Sequence, residues 1–349
     1  RTGIKAALET FGADLAFSID ELDTQLPQLF ETRENIYLVD ELGRFEDKIF
    51  DWLQFQRRSV KFDDFKCYPS LHSLLPICQR PRPIKDADEV ELIRQAVKAS
   101  VVGHKRLMQL CRPGLFEHQL ASAFDAAISE LGCQETGYPS IVAGGQNACC
   151  LHYDVNKDRL MDGDLLLVDA GGEYQYYTAD ITRTYPVNGE FSAEQASLYR
   201  AVLDALDGAI GIVKPGLPWN ALYETAMEIL VGGLVRLGIL DGKVKNILAT
   251  GAHKSITLHK TGHFLGLDVH DVGDYKDESG TWRRLEANMI FTLEPGVYIP
   301  NGMAGVDPKW HGLGVRIEDD ILVTQTGYEN LSADLPRTVR EIEDWMAAT

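Results

Sequence analysis

The chain has 349 residues, of which 45% are hydrophobic and 25% are charged, and its formal net charge at pH 7 is −18. This length is enough to bury one large core or two smaller ones. The acidic balance, without a cluster of Lys and Arg, argues against a nucleic-acid binder, because such proteins need basic side chains to displace counterions from phosphates.

The apolar pattern and the cysteine content argue against several further classes of protein. No run of about 18 apolar residues occurs, so we expect neither a membrane-spanning helix nor a membrane partner. The opening residues RTGIKAALET lack the apolar core of a secretory signal. The six cysteines are scattered without a CxxC pair, which argues against a disulfide scaffold and a structural zinc site. We therefore expect reduced cysteines and a cytoplasmic location.

The first 85 residues predict a short α/β region. Residues 36–40 have the apolar character of a strand, and residues 46–58 have the spacing of an amphipathic helix. The stretch RPRPIK at 80–85 carries two prolines, each of which disfavours helix in the residue before it. This stretch predicts a linker, so we divide the chain into residues 1–85 and 86–349.

The second part alternates helices with groups of short strands. The predicted elements in chain order are helices at 86–111 and about 117–131, strands within 138–187, helices at 192–213 and 218–237, and strands beyond 255. An order of helices, strands, helices and strands predicts an α+β domain with an internal duplication.

Four acidic residues and one histidine occupy strand-like stretches where a polar group is unusual. They are Asp169 in LLLVDAGG, Asp180 in YTADITRTYPV, His263 in TGHFLGLDVHDVG, Glu294 in MIFTLEPGVYI and Glu318 in GVRIEDDILVT. A buried carboxylate must be paired or must coordinate a cation, because desolvating it alone is costly. The acids outnumber the basic residues near them, so the simplest prediction is a metal site. Any one of them alone could instead be an edge or pairing residue.

The ligand types favour a particular kind of metal centre. Four carboxylates with one imidazole suit Mn²⁺, with Zn²⁺, Co²⁺ and Fe²⁺ as alternatives, rather than an ion that prefers thiolates. Five such ligands can hold two divalent ions about 3.5–4 Å apart, and two metals that share a water lower its pKa. The sequence therefore predicts a two-metal hydrolytic centre.

From about residue 86 to 345 the sequence resembles the catalytic domain of the pita-bread metallopeptidases, aminopeptidase P first and prolidase next. The segments that carry the resemblance are LHY (151–153), DAG (169–171), ADITRTYPV (179–187), HKTGHFLGLDVHDVG (259–273), TLEPGVYI (292–299) and GVRIEDDILVT (314–324). The resemblance implies an α+β pita-bread domain whose pseudo-duplicated halves each contain helices and antiparallel strands. It also implies that residues 1–85 are only part of the N-terminal α/β domain usual in the family, which leaves open whether the protein is a homo-oligomer.

The resemblance implies the metal ligands residue by residue. They are Asp169, Asp180, His263, Glu294 and Glu318, with Asp180 and Glu318 bridging or chelating the ions. Glu294 would also act as general acid and base. The family's substrates are peptides cleaved before a proline. A carboxylate such as Glu294 can carry a proton to the nitrogen of that proline, which needs a proton when the peptide bond breaks.

Five further residues match the substrate side of the family's site. His152 would lie near the substrate, His259 and His270 would stabilise the tetrahedral intermediate, and Tyr298 and Arg316 would contact substrate or order the site. Other readings stay open for each of them. A histidine near a metal can brace a ligand, Arg316 can be a counter-ion, and Tyr298 can be a core residue.

The implied activity is hydrolysis of the Xaa-Pro bond at peptide N-termini by a hydroxide that bridges two metals. Its partners would be peptides with proline at the second position. Two alternatives are a prolidase, which takes only Xaa-Pro dipeptides, and a non-catalytic pita-bread module. The second is disfavoured because all five ligand positions are present.

Several other polar residues are predicted to have no direct role. Surface or helix positions without a functional role are predicted for His72, His104, His118, His253 and His311. Turn positions, or positions that brace the ligands, are predicted for Asp268, Asp271, Asp319 and Asp320.

Overall fold

The structure is a computed structural model and describes residues 2–30, 33–39, 46–59 and 69–348. The helices in these ranges are α1 (Ile4–Phe11), α2 (Leu22–Phe30), α3 (Glu46–Ser59), α4 (Leu75–Gln79), α5 (Ala87–Leu110), α6 (Glu117–Ser129), α7 (Ala193–Gly211), α8 (Asn220–Arg236), α9 (Val244–Thr250) and α10 (Val339–Ala347). The strands are β1 (Asn35–Leu38), β2 (Ser70–Ser73), β3 (Glu135–Thr136), β4 (Ile141–Gly144), β5 (Leu165–Asp169), β6 (Gly172–Tyr174), β7 (Tyr177–Thr178), β8 (Thr182–Pro186), β9 (Ile290–Leu293), β10 (Gly296–Ile299), β11 (Leu313–Arg316), β12 (Asp319–Val323) and β13 (Tyr328–Asn330). None of these helices combines the length and the apolar character that crossing a membrane requires.

The chain divides into two compact units, Arg1–Arg80 and Pro81–Thr349. In the smaller unit β1 and β2 pair in parallel, and α3 confirms the helix predicted over 46–58. The strand predicted over 36–40 is β1, although residue 40 lies outside the described ranges. The helices α1 and α2 were not predicted from the sequence. Both are short, and neither contains a buried residue. The assignment of residues 1–85 to a partial N-terminal domain stays a prediction.

The stretch predicted as a linker, residues 80–85, is anchored at its end in the larger unit. The backbone N–H of Lys85 donates to the carbonyl of Asn288 at 2.9 Å. The buried Lys85 ammonium lies 2.9 Å from a carboxylate oxygen of Asp271, which is equally buried. A buried ammonium is tolerated only with such a partner, so Lys85 is fixed within the larger unit. The boundary between the units falls after Arg80, the first residue of the predicted linker.

The larger unit repeats one arrangement of helices and strands. Helices α5, α6, α7 and α8 confirm the four helices predicted for this part of the chain, each within three residues at either end. Asp86 and Glu89 cap α5 reciprocally, since the side chain of each accepts the backbone N–H of the other. After α5 and α6 the strands form the sheet β4-β5-β8, and after α7 and α8 they form β13-β12-β9. The sequence did not predict α9 or α10.

Two antiparallel strand pairs, β5–β8 and β9–β12, carry acids at equivalent places. Asp169 ends β5 and Asp180 lies two residues before β8, while Glu294 follows β9 and Glu318 precedes β12. An isolated bridge between Thr182 and Glu318 joins the two halves. Four acids that are distant in sequence are therefore brought to one place between the two halves.

Candidate metal centre

Three of the predicted ligands form the centre of the site. Ligand atoms of Asp180, His263 and Glu318 all lie within 4.8 Å of one another. Asp180 and Glu318 are buried, and Glu318 is fixed by its backbone N–H, which donates to the Thr182 carbonyl at 3.1 Å, and by its side chain, which accepts the Thr182 hydroxyl at 2.6 Å. Nearby carboxylate and imidazole donors of this kind suit a divalent ion.

His263 turns one ring nitrogen toward the acids. Its Nδ1 lies 3.0 Å from the Phe264 carbonyl, which can only accept, so Nδ1 carries a proton and Nε2 is directed elsewhere. Nε2 lies 3.3 Å from Asp180 and 3.8 Å from Glu294. Burial disfavours a charged ring, but the hydrogen bond and charge of Asp180, with Glu294, raise the pKa of His263 to about 9. A histidine can bind a metal through either ring nitrogen, and with Nδ1 engaged by Phe264 the available nitrogen of His263 is Nε2.

Asp169 joins the group through Tyr138 and Arg316. The Tyr138 hydroxyl lies 2.6 Å from an oxygen of Asp169 and 2.6 Å from an oxygen of Asp180. Arg316 Nη2 donates to the other oxygen of Asp169 at 2.6 Å. Because a phenol has one proton, it can donate to one carboxylate at a time. The second short contact requires a proton on a carboxyl group or a cation that offsets the charge.

The buried carboxylates carry more negative charge than the surrounding protein offsets. Burial raises the pKa of Asp169, raises that of Glu294 to about 8, and raises that of Glu318 well above its ordinary value, with repulsion from Asp180 adding to the last. Within the described residues, Arg316 is the only Lys or Arg that forms an ion pair with one of the five predicted ligands. This excess of hard oxygen donors fits divalent cations.

Tyr298 and Arg316 form a buried hydrogen-bonded chain with His259. Arg316 Nη1 donates to the Tyr298 hydroxyl at 2.8 Å, and that hydroxyl lies 2.7 Å from His259 Nε2. His259 Nδ1 lies 2.7 Å from the Lys260 carbonyl and so carries the proton, which leaves Nε2 to accept from Tyr298. Burial, with the charge of Arg316, lowers the pKa of His259 to about 4, in keeping with a neutral ring. Both nitrogens of His259 are therefore engaged by the protein.

His259 also touches the ligand group, and a glycine makes room for its contact with Tyr298. His259 Nδ1 lies 3.3 Å from Glu294 Oε2. A Cβ atom at Gly296 would lie 2.6 Å from the Tyr298 hydroxyl and 3.1 Å from His259 Nε2. The motif LEPG thus supplies both an acid and the space that this chain of hydrogen bonds needs.

The two other predicted pocket histidines are exposed. The ring of His270 packs edge-on against His263, with centroids 4.2 Å apart. His152 lies between Leu151 and Tyr153, and both neighbours pack against a small buried cluster that includes Tyr298. Partial desolvation of the ring and the charge of His263 lower the pKa of His270, and His152 contributes to the same shift. The outward-facing rings can reach a bound molecule, in contrast to that of His259.

Several further residues fix the ligands, and two of them, Tyr138 and Arg183, were not predicted from the sequence. Tyr138 precedes a proline in a loop, where no local pattern marks it. Arg183 is fully buried and donates to the carbonyl of Glu318 at 2.7 Å and to Asp319 at 2.6 Å. Asp320 accepts the backbone N–H of Asp180 at 3.1 Å. The sequence feature that marked Asp319 and Asp320 was the run of three acids, EDD, in an otherwise apolar strand. The contacts of both residues agree with the bracing role predicted for them.

His104 lies under the site, although the sequence assigned it no role. It is in a helix as predicted but is fully buried, with Nε2 2.9 Å from the carbonyl of Ala170, the residue after Asp169. No residue in the described part of the chain forms a hydrogen bond with its Nδ1, and its ring packs edge-on against Phe124. Burial lowers the pKa of His104 to about 4, so the ring is neutral and donates from Nε2 to Ala170.

The depressed pKa predicts a particular dependence of stability on pH. A neutral His104 stabilises the fold above the pKa of an unfolded histidine, and this contribution is lost as the pH falls from about 6.5 through about 4. The full loss amounts to about 3 kcal/mol. His104→Gln keeps a donor for the Ala170 carbonyl but cannot titrate, so its free energy of unfolding should fall less on acidification than that of wild type. Urea unfolding at pH 7.5 and 4.5 measures both, and equal falls would contradict the prediction.

Comparisons with known proteins agree with this geometry. Residues 91–325 match the family described as Metallopeptidase family M24. The Xaa-Pro aminopeptidase of Escherichia coli strain K12 is 37% identical over 348 residues, which cover 100% of this chain and 78% of that protein. The solved structure of Pseudomonas aeruginosa aminopeptidase PepP superposes with a TM-score of 0.95 at 42% identity, covering 100% of this chain and 78% of that one. Proline aminopeptidase P II from Yersinia pestis gives a TM-score of 0.94 at 39% identity, covering 100% and 80%. These agreements confirm the predicted α+β pita-bread fold.

Proposed function

Because the chain belongs to metallopeptidase family M24 and is a metallopeptidase, we propose that it removes the N-terminal residue from peptides whose second residue is proline. The observation that carries the proposal is the convergence of Asp180, His263 and Glu318 within 4.8 Å, with Glu294 next to His263 and Asp169 linked to Asp180 through the Tyr138 hydroxyl. The relatives named Xaa-Pro aminopeptidase support the choice of bond.

The proposed cofactor is a pair of divalent ions. Asp169, Asp180, His263, Glu294 and Glu318 would hold them, and the predominance of carboxylates favours Mn²⁺ over ions that prefer thiolates. Bound divalent ions supply two kinds of chemistry, since they polarise the scissile carbonyl and lower the pKa of water.

Glu294 is the residue proposed to move protons. In this role it takes a proton from the attacking water and delivers it to the proline nitrogen as the carbon–nitrogen bond breaks, so that the nitrogen leaves as a neutral secondary amine. Its position supports the role, because its Oε1 lies 3.8 Å from His263 Nε2 and so places the carboxylate within the group that would hold the ions. The contact of 3.3 Å with His259 Nδ1 holds the carboxylate in place.

The remaining residues are proposed to bind and orient the substrate. His152 and His270 are exposed beside the ligand group, which suits contact with the substrate and stabilisation of negative charge on its carbonyl oxygen. His259, Tyr298 and Arg316 also belong to the proposed site. Their hydrogen bonds to one another and to Asp169 support an orienting role beside the substrate.

A peptide panel distinguishes the proposed function from its two alternatives. With Mn²⁺ added, we expect release of alanine from alanyl-prolyl-alanine, slower turnover of the dipeptide alanyl-proline, and no cleavage of trialanine. Cleavage of the dipeptide alone would identify a prolidase instead. No cleavage of any peptide, with or without Mn²⁺, would favour the non-catalytic module. A chelator should abolish the expected activity.

Two properties outside the site stay predictions. Cys78, Cys111, Cys133, Cys149 and Cys150 are free, which supports the proposed cytoplasmic location, while Cys67 lies outside the described residues. A homo-oligomeric state is also left as a proposal.

A further inference from the structure

Glu117, the first residue of α6, is a fully buried carboxylate with an unusual set of partners. Its Oε1 accepts the Gly144 backbone N–H at 2.8 Å and the Asn147 side-chain amide at 2.9 Å. Its Oε2 accepts the Tyr153 hydroxyl at 2.7 Å and the Asp158 backbone N–H at 2.8 Å. Within the described residues no Lys or Arg pairs with it, so these hydrogen bonds and the positive end of the helix stabilise its charge.

All the donors to Glu117 come from residues 144–158, which we call the histidine loop because it contains His152. The side chain of Asn156 fixes the same loop to β4 and to the residue before it. It accepts the Val142 N–H at 2.9 Å and donates to the Ser140 carbonyl at 2.7 Å. One carboxylate thus connects the beginning, the middle and the end of the histidine loop.

The histidine loop presents His152 in a defined direction. Leu151 and Tyr153, on either side of it, pack against the buried cluster that contains Tyr298. Tyr153 is additionally held by its hydrogen bond to Glu117. His152 itself is exposed. With both neighbours packed against this cluster, the side chain of His152 is left exposed to solvent.

We propose that Glu117 is a positioning residue that holds the histidine loop so that His152 meets the substrate. The substrate part of this inference rests on the proposed function, whereas the part that concerns the loop does not. A carboxylate suits the position because each of its two oxygens can accept two hydrogen bonds. Glutamine offers only one such oxygen. Its NH2 group would lie against two of the N–H or O–H donors, and because a donor cannot accept a hydrogen bond, those buried groups would be left unsatisfied.

The first test measures the histidine loop without any substrate. In Glu117→Gln we expect hydrogen exchange at the amides of Gly144 and Asp158 to become faster by about tenfold or more, because their acceptor is lost or weakened. Exchange in β8 and the bound Mn²⁺ content should not change. Glu130→Gln, an exposed glutamate just beyond the other end of α6, is the matched control. Unchanged exchange in the histidine loop of Glu117→Gln would overturn the proposal.

The second test asks whether Glu117 acts through His152. With alanyl-prolyl-alanine, Glu117→Gln should lower kcat/KM by about 10- to 100-fold, as expected when a substrate-contacting group is misplaced. In a His152→Ala background the same substitution should lower it by less than about threefold, because residues that act as one unit are not additive. Equal losses in both backgrounds would overturn the proposal, since a general structural role gives additive effects.

Two provisions keep the outcomes distinct. Tyr153→Phe removes a single hydrogen bond to Glu117, and it replaces Glu117→Gln in both tests if the latter does not fold. A wild-type protein that cleaves none of the peptides would overturn the proposed function, and with it the role of His152. The exchange measurement would still decide whether Glu117 holds the histidine loop.

Discussion

The Glu318→Gln variant is expected to lose at least about a thousandfold in turnover of alanyl-prolyl-alanine, which corresponds to about 4 kcal/mol of transition-state stabilisation. Glu318 is one of the three residues whose ligand atoms lie within 4.8 Å of one another. Glutamine has nearly the same shape, and its oxygen can still accept the hydroxyl of Thr182. The change therefore removes a ligand charge without removing the packing.

The same variant should be no less stable than wild type when both are freed of metal. Burial and repulsion from Asp180 raise the pKa of Glu318 well above that of an unfolded glutamate. A carboxyl group with a raised pKa stabilises the fold below about pH 4.5 and loses this contribution as the pH rises. Neutral glutamine avoids that loss at pH 7. Thermal unfolding in a chelator measures the stability, and steady-state kinetics with Mn²⁺ measure the turnover.

A matched substitution elsewhere provides the control. Glu329→Gln changes a glutamate that pairs with Arg94 at the surface, and it should leave turnover within about twofold of wild type because exposed ion pairs contribute little. Near-normal turnover in Glu318→Gln would show that Glu318 is not a ligand.

Arg183→Met is expected to destabilise the protein by about 3–5 kcal/mol. Arg183 and Asp319 are fully buried, with Nη2 of the arginine 2.6 Å from an oxygen of the aspartate. The same guanidinium donates to the carbonyls of Thr182, Glu318 and Pro336. Methionine would leave Asp319 with only the more distant Arg337, 3.8 Å away, as a charged partner and would leave these carbonyls without their donor. The energetic cost of a poorly compensated buried charge is high.

Chemical denaturation of two further variants tests whether the loss of stability comes from the buried pair of Arg183 and Asp319. Arg94→Met removes the half-exposed pair with Glu329 and should cost less than about 1 kcal/mol. Adding Asp319→Asn to Arg183→Met should recover part of the lost stability, because no buried charge then remains at that site. A cost of Arg183→Met similar to that of Arg94→Met would contradict this account of the network.

Much of the larger unit follows from local sequence patterns. The helices α5 to α8 have apolar residues at helical spacing, and Asp86 and Ser192 provide capping signals at the start of α5 and α7. Four of the five proposed ligands could be predicted because an acid in an apolar strand is costly unless it binds something. Their flanking motifs then gave the family resemblance.

Other features depend on partners that local patterns do not show. Lys85 appeared to belong to a basic linker, but its partner Asp271 lies 186 residues away. In the sequence Glu117 looks like any acidic residue in the first turn of a helix. Only the folded chain shows that its hydrogen-bond partners are in the histidine loop. Tyr138 joins two acids that stand 31 and 42 residues after it. Helices such as α1 and α9 are short, and they carry too few periodic positions to be recognised.

Anomalous scattering from a crystal of the protein loaded with Mn²⁺ tests the central claim most directly. Two manganese peaks about 3.5–4 Å apart are expected, contacted by Asp169, Asp180, His263, Glu294 and Glu318. A crystal with no peak among these five side chains, or with manganese bound only elsewhere, would contradict it.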